Sequence, residues 1–142
     1  MTVSLVQQDD GGLSLQGKDG TNVGVITVNI EYTASSVDKV AFVAPRAYRV
    51  KGITWRVEAA GTDAGAVTGV IKKTASGTAI ASGTALHSST ANLKGTAATN
   101  QTLTLSTTSS DLDIAAGDAI GVDFTGTLTS ATGVIAVALA PA

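Results

Sequence analysis

Apolar and polar residues alternate with a period of two through almost the whole chain, and no window carries a helical period. A strand sends successive side chains to opposite faces, so this pattern restricts the chain to half-buried strands paired in sheets. In 23-VGVITVNIEY-32, Ile26, Val28, Ile30 and Tyr32 fall on one face, and Thr27, Asn29 and Glu31 on the other. The run 40-VAFVA-44 stops at Pro45, which has no N–H for a ladder and so marks an edge or a corner. In 47-AYRVKGITWRVEAAG-61, Ile53, Trp55 and Val57 oppose Thr54, Arg56 and Glu58, and Gly61 and Asp63 close the run with turn chemistry.

The pattern continues in 66-AVTGVIKKTA-75, where Gly69 marks a bulge or a close backbone approach. In 76-SGTAIASGTA-85, Gly77 and Gly83 read as turns on either side of a short strand around Ile80. The polar, small-residue stretch 87-HSSTANLKGTAATN-100 reads as a long surface connection, and 101-QTLTLS-106 turns Leu103 and Leu105 inward. In 111-DLDIAAGDAIGVDFTG-126, Leu112 and Ile114 keep the period, Ala116-Gly117-Asp118 makes a turn, and Ile120, Val122 and Phe124 resume the strand. Asp111, Asp113 and Asp123 then lie at loop ends or on the outward face. The closing run 133-GVIAVALA-140 is apolar on both faces, which places it centrally in a sheet or at a subunit contact. About eight or nine short strands with Gly, Ser and Asp punctuation imply an all-β fold, an antiparallel β-sandwich of jelly-roll-like form.

Residues 1–20, MTVSLVQQDDGGLSLQGKDG, break the pattern with one short strand from Val3 to Val6, two glycine turns and a polar tract. They read as an extended N-terminal arm ahead of a single sandwich domain over 21–142. Val3, Leu5, Val6, Leu13 and Leu15 are its candidate gripping residues, in the manner of strands added to an exposed sheet edge. The same segment has no basic n-region and only a short apolar run, so it does not read as a secretory signal. No run of 18 apolar residues occurs, so no membrane partner is expected.

A chain of 142 residues buries about 68–70% of its unfolded surface, enough for one core without covalent staples. It has no cysteine, which removes disulfides, thiol nucleophiles and Cys-ligated metals. Nine basic and eleven acidic residues leave a charge of −2 with no long block of either sign, against a nucleic-acid partner. The charged fraction is 14%, well below the roughly 25% of an ordinary soluble domain. A surface of Thr, Ser, Gly and Ala with few charges tends to associate, which points to a protein that meets other protein surfaces.

Residues for catalysis are few. His87 is the sole histidine, in a Ser/Thr-rich loop read as exposed, and no G-x-S-x-G elbow, HExxH or paired-histidine spacing accompanies it. Asp111, Asp113, Asp118 and Asp123 could serve an acid-base pair or an oxygen-ligated calcium site. However, Ala115 stands where an EF-hand needs a third oxygen, and solvated loop carboxylates are the simpler reading. Trp55 and Phe124 lie on apolar strand faces, while Tyr32 and Tyr48 are the aromatics that could be exposed for sugar stacking. Arg46, Arg49, Lys51 and Arg56 lie along strand faces without interleaved aromatics, as polar contacts of a strand surface or interface. No catalytic, metal or cofactor site is expected.

The segments VAPRAYRVKGITWRV at 43–57, the SGTA repeats, LDIAAGDAIGVDFTGT at 112–127 and VIAVALAP at 134–141 resemble capsid-associated proteins of tailed bacteriophages, over residues 20–141. The resemblance is to head decoration (cement) proteins and short head fibres. It implies a non-enzymatic sandwich, commonly a homotrimer, bound to the major capsid protein on the outer surface of the virion and stabilising the shell. In that setting the trimer clamps adjacent capsid subunits with residues 1–20 as arms. The competing expectation is a fibre or receptor-binding module for a cell-surface glycan, with Tyr32 or Tyr48 exposed at a loop cluster.

Overall fold

The structure, a computed structural model, describes residues 3–7, 13–17 and 24–142, the first two segments as backbone. β1 (Val3–Gln7) and β2 (Leu13–Gly17) pair antiparallel with Leu5 opposite Leu15, as a two-stranded sheet of their own. The polar tract expected after the first strand thus contains a second one. The remainder of the expected arm over 1–20, and the side chains of Val3, Leu5, Val6, Leu13 and Leu15, lie outside the described residues.

The other strands are β3 (Ile26–Tyr32), β4 (Lys39–Val43), β5 (Tyr48–Ala59), β6 (Thr68–Thr74), β7 (Thr84–Ala85), β8 (Ala91–Asn92), β9 (Thr99–Thr102), β10 (Asp113–Ile114), β11 (Ala119–Thr125) and β12 (Thr132–Pro141). They form two five-stranded antiparallel sheets. One runs β3-β12-β5 with β9 and β10 along the far side of β5; the other runs β4-β11-β6 with β7 and β8 along the far side of β6. The chain changes sheet from β3 to β4, β4 to β5, β5 to β6, β8 to β9, β10 to β11 and β11 to β12, which is the path of a jelly-roll sandwich. β12, apolar on both faces, lies between β3 and β5 as a central strand.

The core fills from the inward face of each strand: Val28, Ile30 and Tyr32 from β3, Ile71 from β6, Ile120 and Val122 from β11, and Ile135, Val137 and Leu139 from β12. On β5 the inward set changes parity, because Gly52 pairs with Ala138 while Val50 pairs with Leu139, leaving Lys51 as an extra residue. Ile53, Trp55 and Val57 face inward beyond this bulge, and Tyr48 and Val50 before it. Trp55 meets Tyr32 at 5.6 Å and Phe124 at 6.3 Å between ring centres, and its six-membered ring lies over Gly69 in the opposite sheet. Gly69 is therefore a close approach rather than a bulge: a Cβ there would stand 2.2 Å from Trp55 Cη2. The Trp55 Nε1 is buried without an acceptor among the described residues. Burial raises the Tyr32 phenol above its ordinary value, and the adjacent indole N–H offsets part of that rise while lying outside hydrogen-bonding geometry.

Two segments differ from the sequence expectation. Residues Ile80–Ser82 form one turn of 3-10 helix rather than a strand, because the segment leaves the sheet and folds over the outer face beside Gly121. Lys72 secures it by donating to the Ala81 carbonyl at 2.6 Å. The stretch 87–100 is also more than a surface connection. Ala91 and Leu93 are fully buried, and β8 together with the start of β9 lies within it.

Candidate functional site

His87 is buried, not exposed as its polar neighbours suggest. β7 pairs with β6 at Lys72 and Lys73, and β8 pairs with it at Thr68 and Gly69, which leaves a gap in the ladder at Ile71. The imidazole occupies that gap: Nε2 accepts the Ile71 N–H at 2.9 Å, and Nδ1–H donates to the Ser89 carbonyl. Burial holds the ring below its ordinary pKa of 6.5, partly offset by the Ser89 carbonyl. A neutral imidazole with both nitrogens engaged acts here as a piece of ladder. A lone histidine among serines gives no sequence signal for this role.

The four aspartates of 111–123 are close in sequence but separately partnered. Asp111 accepts from Ser106 Oγ at 2.6 Å on a 3-10 turn over Ser109–Leu112, and Asp113 forms an ion pair with Arg49. Asp118 accepts the Ala115 N–H at 3.0 Å and so closes the turn at Gly117, whose φ of +88° suits glycine. Asp123 pairs with Lys72 at 2.6 Å on the outer face of its sheet. Among the described residues no three His, Asp or Glu side chains gather as metal ligands.

Tyr32 and Tyr48 are both buried, at 1% and 7% exposure, so the expected sugar platform is not formed by either. The bulge at Lys51 is the reason for Tyr48, since it turns the first half of β5 over relative to the second. Among the basic residues, Arg49 also donates to Ser109 Oγ, and Arg56 contacts Glu58 and Asn100. Arg46 lies in the bend after Pro45 rather than on a strand.

The surface that distinguishes this sandwich is one of its two long sides. The far side is closed: Ser88 N donates to Thr104 O, Ser106 N to Leu86 O, and Gln101 joins β9 to Asn92 of β8 by two side-chain bonds. Among the described residues the near side is open, with β3 at the margin of one sheet and β4 at the margin of the other. A groove of about 370 Å³ runs between them, lined by Asn29, Ile30 and Glu31 of β3 and Lys39, Val40 and Ala41 of β4. Among the described residues the exposed large apolar ones, Val25, Ile26, Val37, Val40 and Val43, belong to β3, β4 and their approaches. Unpaired strand margins flanked by exposed valines are surfaces for binding another polypeptide. The sequence marked the end of β4 as an edge or a corner through Pro45, but nothing in it places β3 beside β4.

Comparison with known proteins finds no matching family model and no matching curated protein. Two solved structures are similar to this chain. One is a chain of the cyanophage Pam1 capsid asymmetric unit, 20% identical, with 85% of this chain and 86% of that chain covered and a TM-score of 0.45. The other comes from the disulfide-linked pili that are Bacillus endospore appendages, 16% identical, covering 84% of this chain and 87% of that one, with a TM-score of 0.42.

Proposed function

We propose that this protein is a non-enzymatic structural subunit of a phage particle, binding the outside of the capsid as an oligomer and stabilising the shell. The observation that carries the reading is the open side, where among the described residues free strand margins and exposed valines coincide, in a chain poor in charge. Such a surface stabilises an assembly by removing apolar area from water, about 25 cal/mol per Å², less the cost of association. The outer face of β12, with Ala136, Ala138 and Ala140 half-buried, adds a low-relief surface of small side chains suited to close subunit packing. The shell as partner and its outer surface as location follow from the resemblance at 43–57, 112–127 and 134–141. A threefold oligomer would make the unit closed and self-limiting.

The test is quantitative mass spectrometry of particles from the source lysate, read as copies of this chain per major shell protein. Hundreds of copies per particle are expected. A few dozen or fewer would assign the protein to a fibre, and absence from particles would remove the virion reading.

A further inference from the structure

We infer that the open side of the sandwich is a seat for the N-terminal hairpin of a second copy of this chain, β1 and β2 of one molecule extending the β3 margin of the next. The inference rests on reading the protein as an assembly subunit and names the surface through which copies join.

The two margins are unequal. β4 carries three features that discourage added strands: Lys39, an irregular register opposite Ile120 and Gly121, and Pro45 just beyond its end. β3 has none of these. It pairs with β12 in unbroken register from Ile26 to Tyr32, has no proline, and bears one charge, Glu31. The Lys39 ammonium donates to the Glu31 carbonyl from the β4 side, so that carbonyl points away from β12. Strand alternation then aims the backbone groups of Asn29 and Thr27 the same way, as a row open to a new partner. The apolar residues beside this row are strongly exposed, Val25 at 58%, Val37 at 72% and Val43 at 61%.

The occupant follows from the chain itself. An isolated two-stranded hairpin is marginal in water, and β1 with β2 is such a hairpin. Its strands, VSLVQ and LSLQG, carry no charge, and their five residues suit the seven of β3. Residues 18–25, which join β2 to β3 in sequence, reach at most about 29 Å when extended, a length that lets the hairpin extend to a neighbouring copy. Within one chain the hairpin pairs only with itself, and β3 pairs only with β12 among the described ladders. A neighbouring copy can satisfy both, head to tail, in a ring that closes by rotation.

The cysteine-free sequence makes disulfide trapping unambiguous. Full-length Leu5→Cys or Leu15→Cys protein is mixed with full-length Asn29→Cys protein under mild oxidation, with Ser88→Cys on the closed side as control. The expected product is a mixed disulfide between a hairpin variant and the Asn29→Cys chain, and its loss when Val40 and Val43 are both changed to Lys. Asn29→Pro in an otherwise unaltered chain removes one ladder donor and weakens association roughly fivefold. Three results would overturn the inference: mixed linkage no faster than with Ser88→Cys, linkage only of Asn29→Cys chains with each other, or linkage only within a single chain carrying both cysteines. Binding to shells is read separately. Chains that link but leave shells bare keep this inference and remove the capsid reading, and chains that coat shells without linking do the reverse.

Discussion

Gly69→Ala tests the packing that joins the two sheets. A methyl at this position would start 2.2 Å from Trp55 Cη2, 2.9 Å from Cζ2 and 3.1 Å from Cζ3. The first contact is about 1.3 Å short of an ordinary carbon–carbon approach. The indole has nowhere to retreat, since Trp55 is fully buried and held by Tyr32 and Phe124. Nor can the backbone yield freely, because Gly69 is paired to Phe124 on one side and Ala91 on the other. Overpacking of this kind costs about 1–3 kcal/mol, and the double constraint puts this site at the upper end. For a domain of this length each kcal/mol lowers Tm by about 3–4 °C, so a fall of roughly 6–12 °C is expected in scanning calorimetry. Urea titration should show a lower midpoint at unchanged m. Trp55→Phe removes the ring atoms that meet Gly69 and leaves a cavity, so in the double variant the added methyl should offset part of its own cost. A coupling of about 1 kcal/mol or more between the two substitutions is expected. A neutral Gly69→Ala, or strict additivity with Trp55→Phe, would refute the idea that the indole rests on this glycine.

His87→Ala should cost about 1–3 kcal/mol by leaving the Ile71 N–H without an acceptor in the gap between β7 and β8, read by chemical denaturation at pH 7.5. In the unaltered protein burial lowers the imidazole pKa, so the unfolded chain protonates first on acidification. The neutral ring's contribution is thus complete above pH 6.5 and is lost as pH falls below it toward the folded value; denaturation midpoints across pH 5–8 should show this loss, and His87→Ala should lack it. Gly117→Ala, with open space at the Cβ but φ of +88°, should destabilise by about 1 kcal/mol from backbone strain alone, with Gly117→Asn recovering part of it in thermal melts. Asp113→Asn removes an exposed ion pair with Arg49 and should change stability by less than about 0.5 kcal/mol, a larger loss indicating a role beyond that pair.

The alternation in 23–32, 53–57, 119–124 and 133–140 was sufficient to place Ile30, Trp55, Val122 and Val137 inside, because a strand's two faces are encoded residue by residue. Gly117 was also legible, as a turn, while Gly69 was legible only as a bulge or a close approach, and the ring of Trp55 over it decided for the second. Tyr48 was not legible: one unpaired residue at Lys51 reverses the face of everything before it, and the reversal shows only in the pairing of Val50 and Gly52 with β12. Ile80 was read as a strand because it is apolar between glycines, yet its burial comes from folding over Gly121 of another strand.

The sequence by itself determined the class of fold, the inward residues of the long strands and the absence of cysteine chemistry, because these depend on local alternation and on composition. Tertiary structure alone decided which strands border each other. That order brings the margins of β3 and β4 together on one side and closes the other with Leu86, Ser88 and Thr104. Strand order rests on contacts between residues dozens of positions apart, which no local period encodes. For the same reason His87, polar and loop-like among its neighbours, becomes a buried part of the ladder only when β6 passes beside it and the Ile71 N–H takes the imidazole as its acceptor.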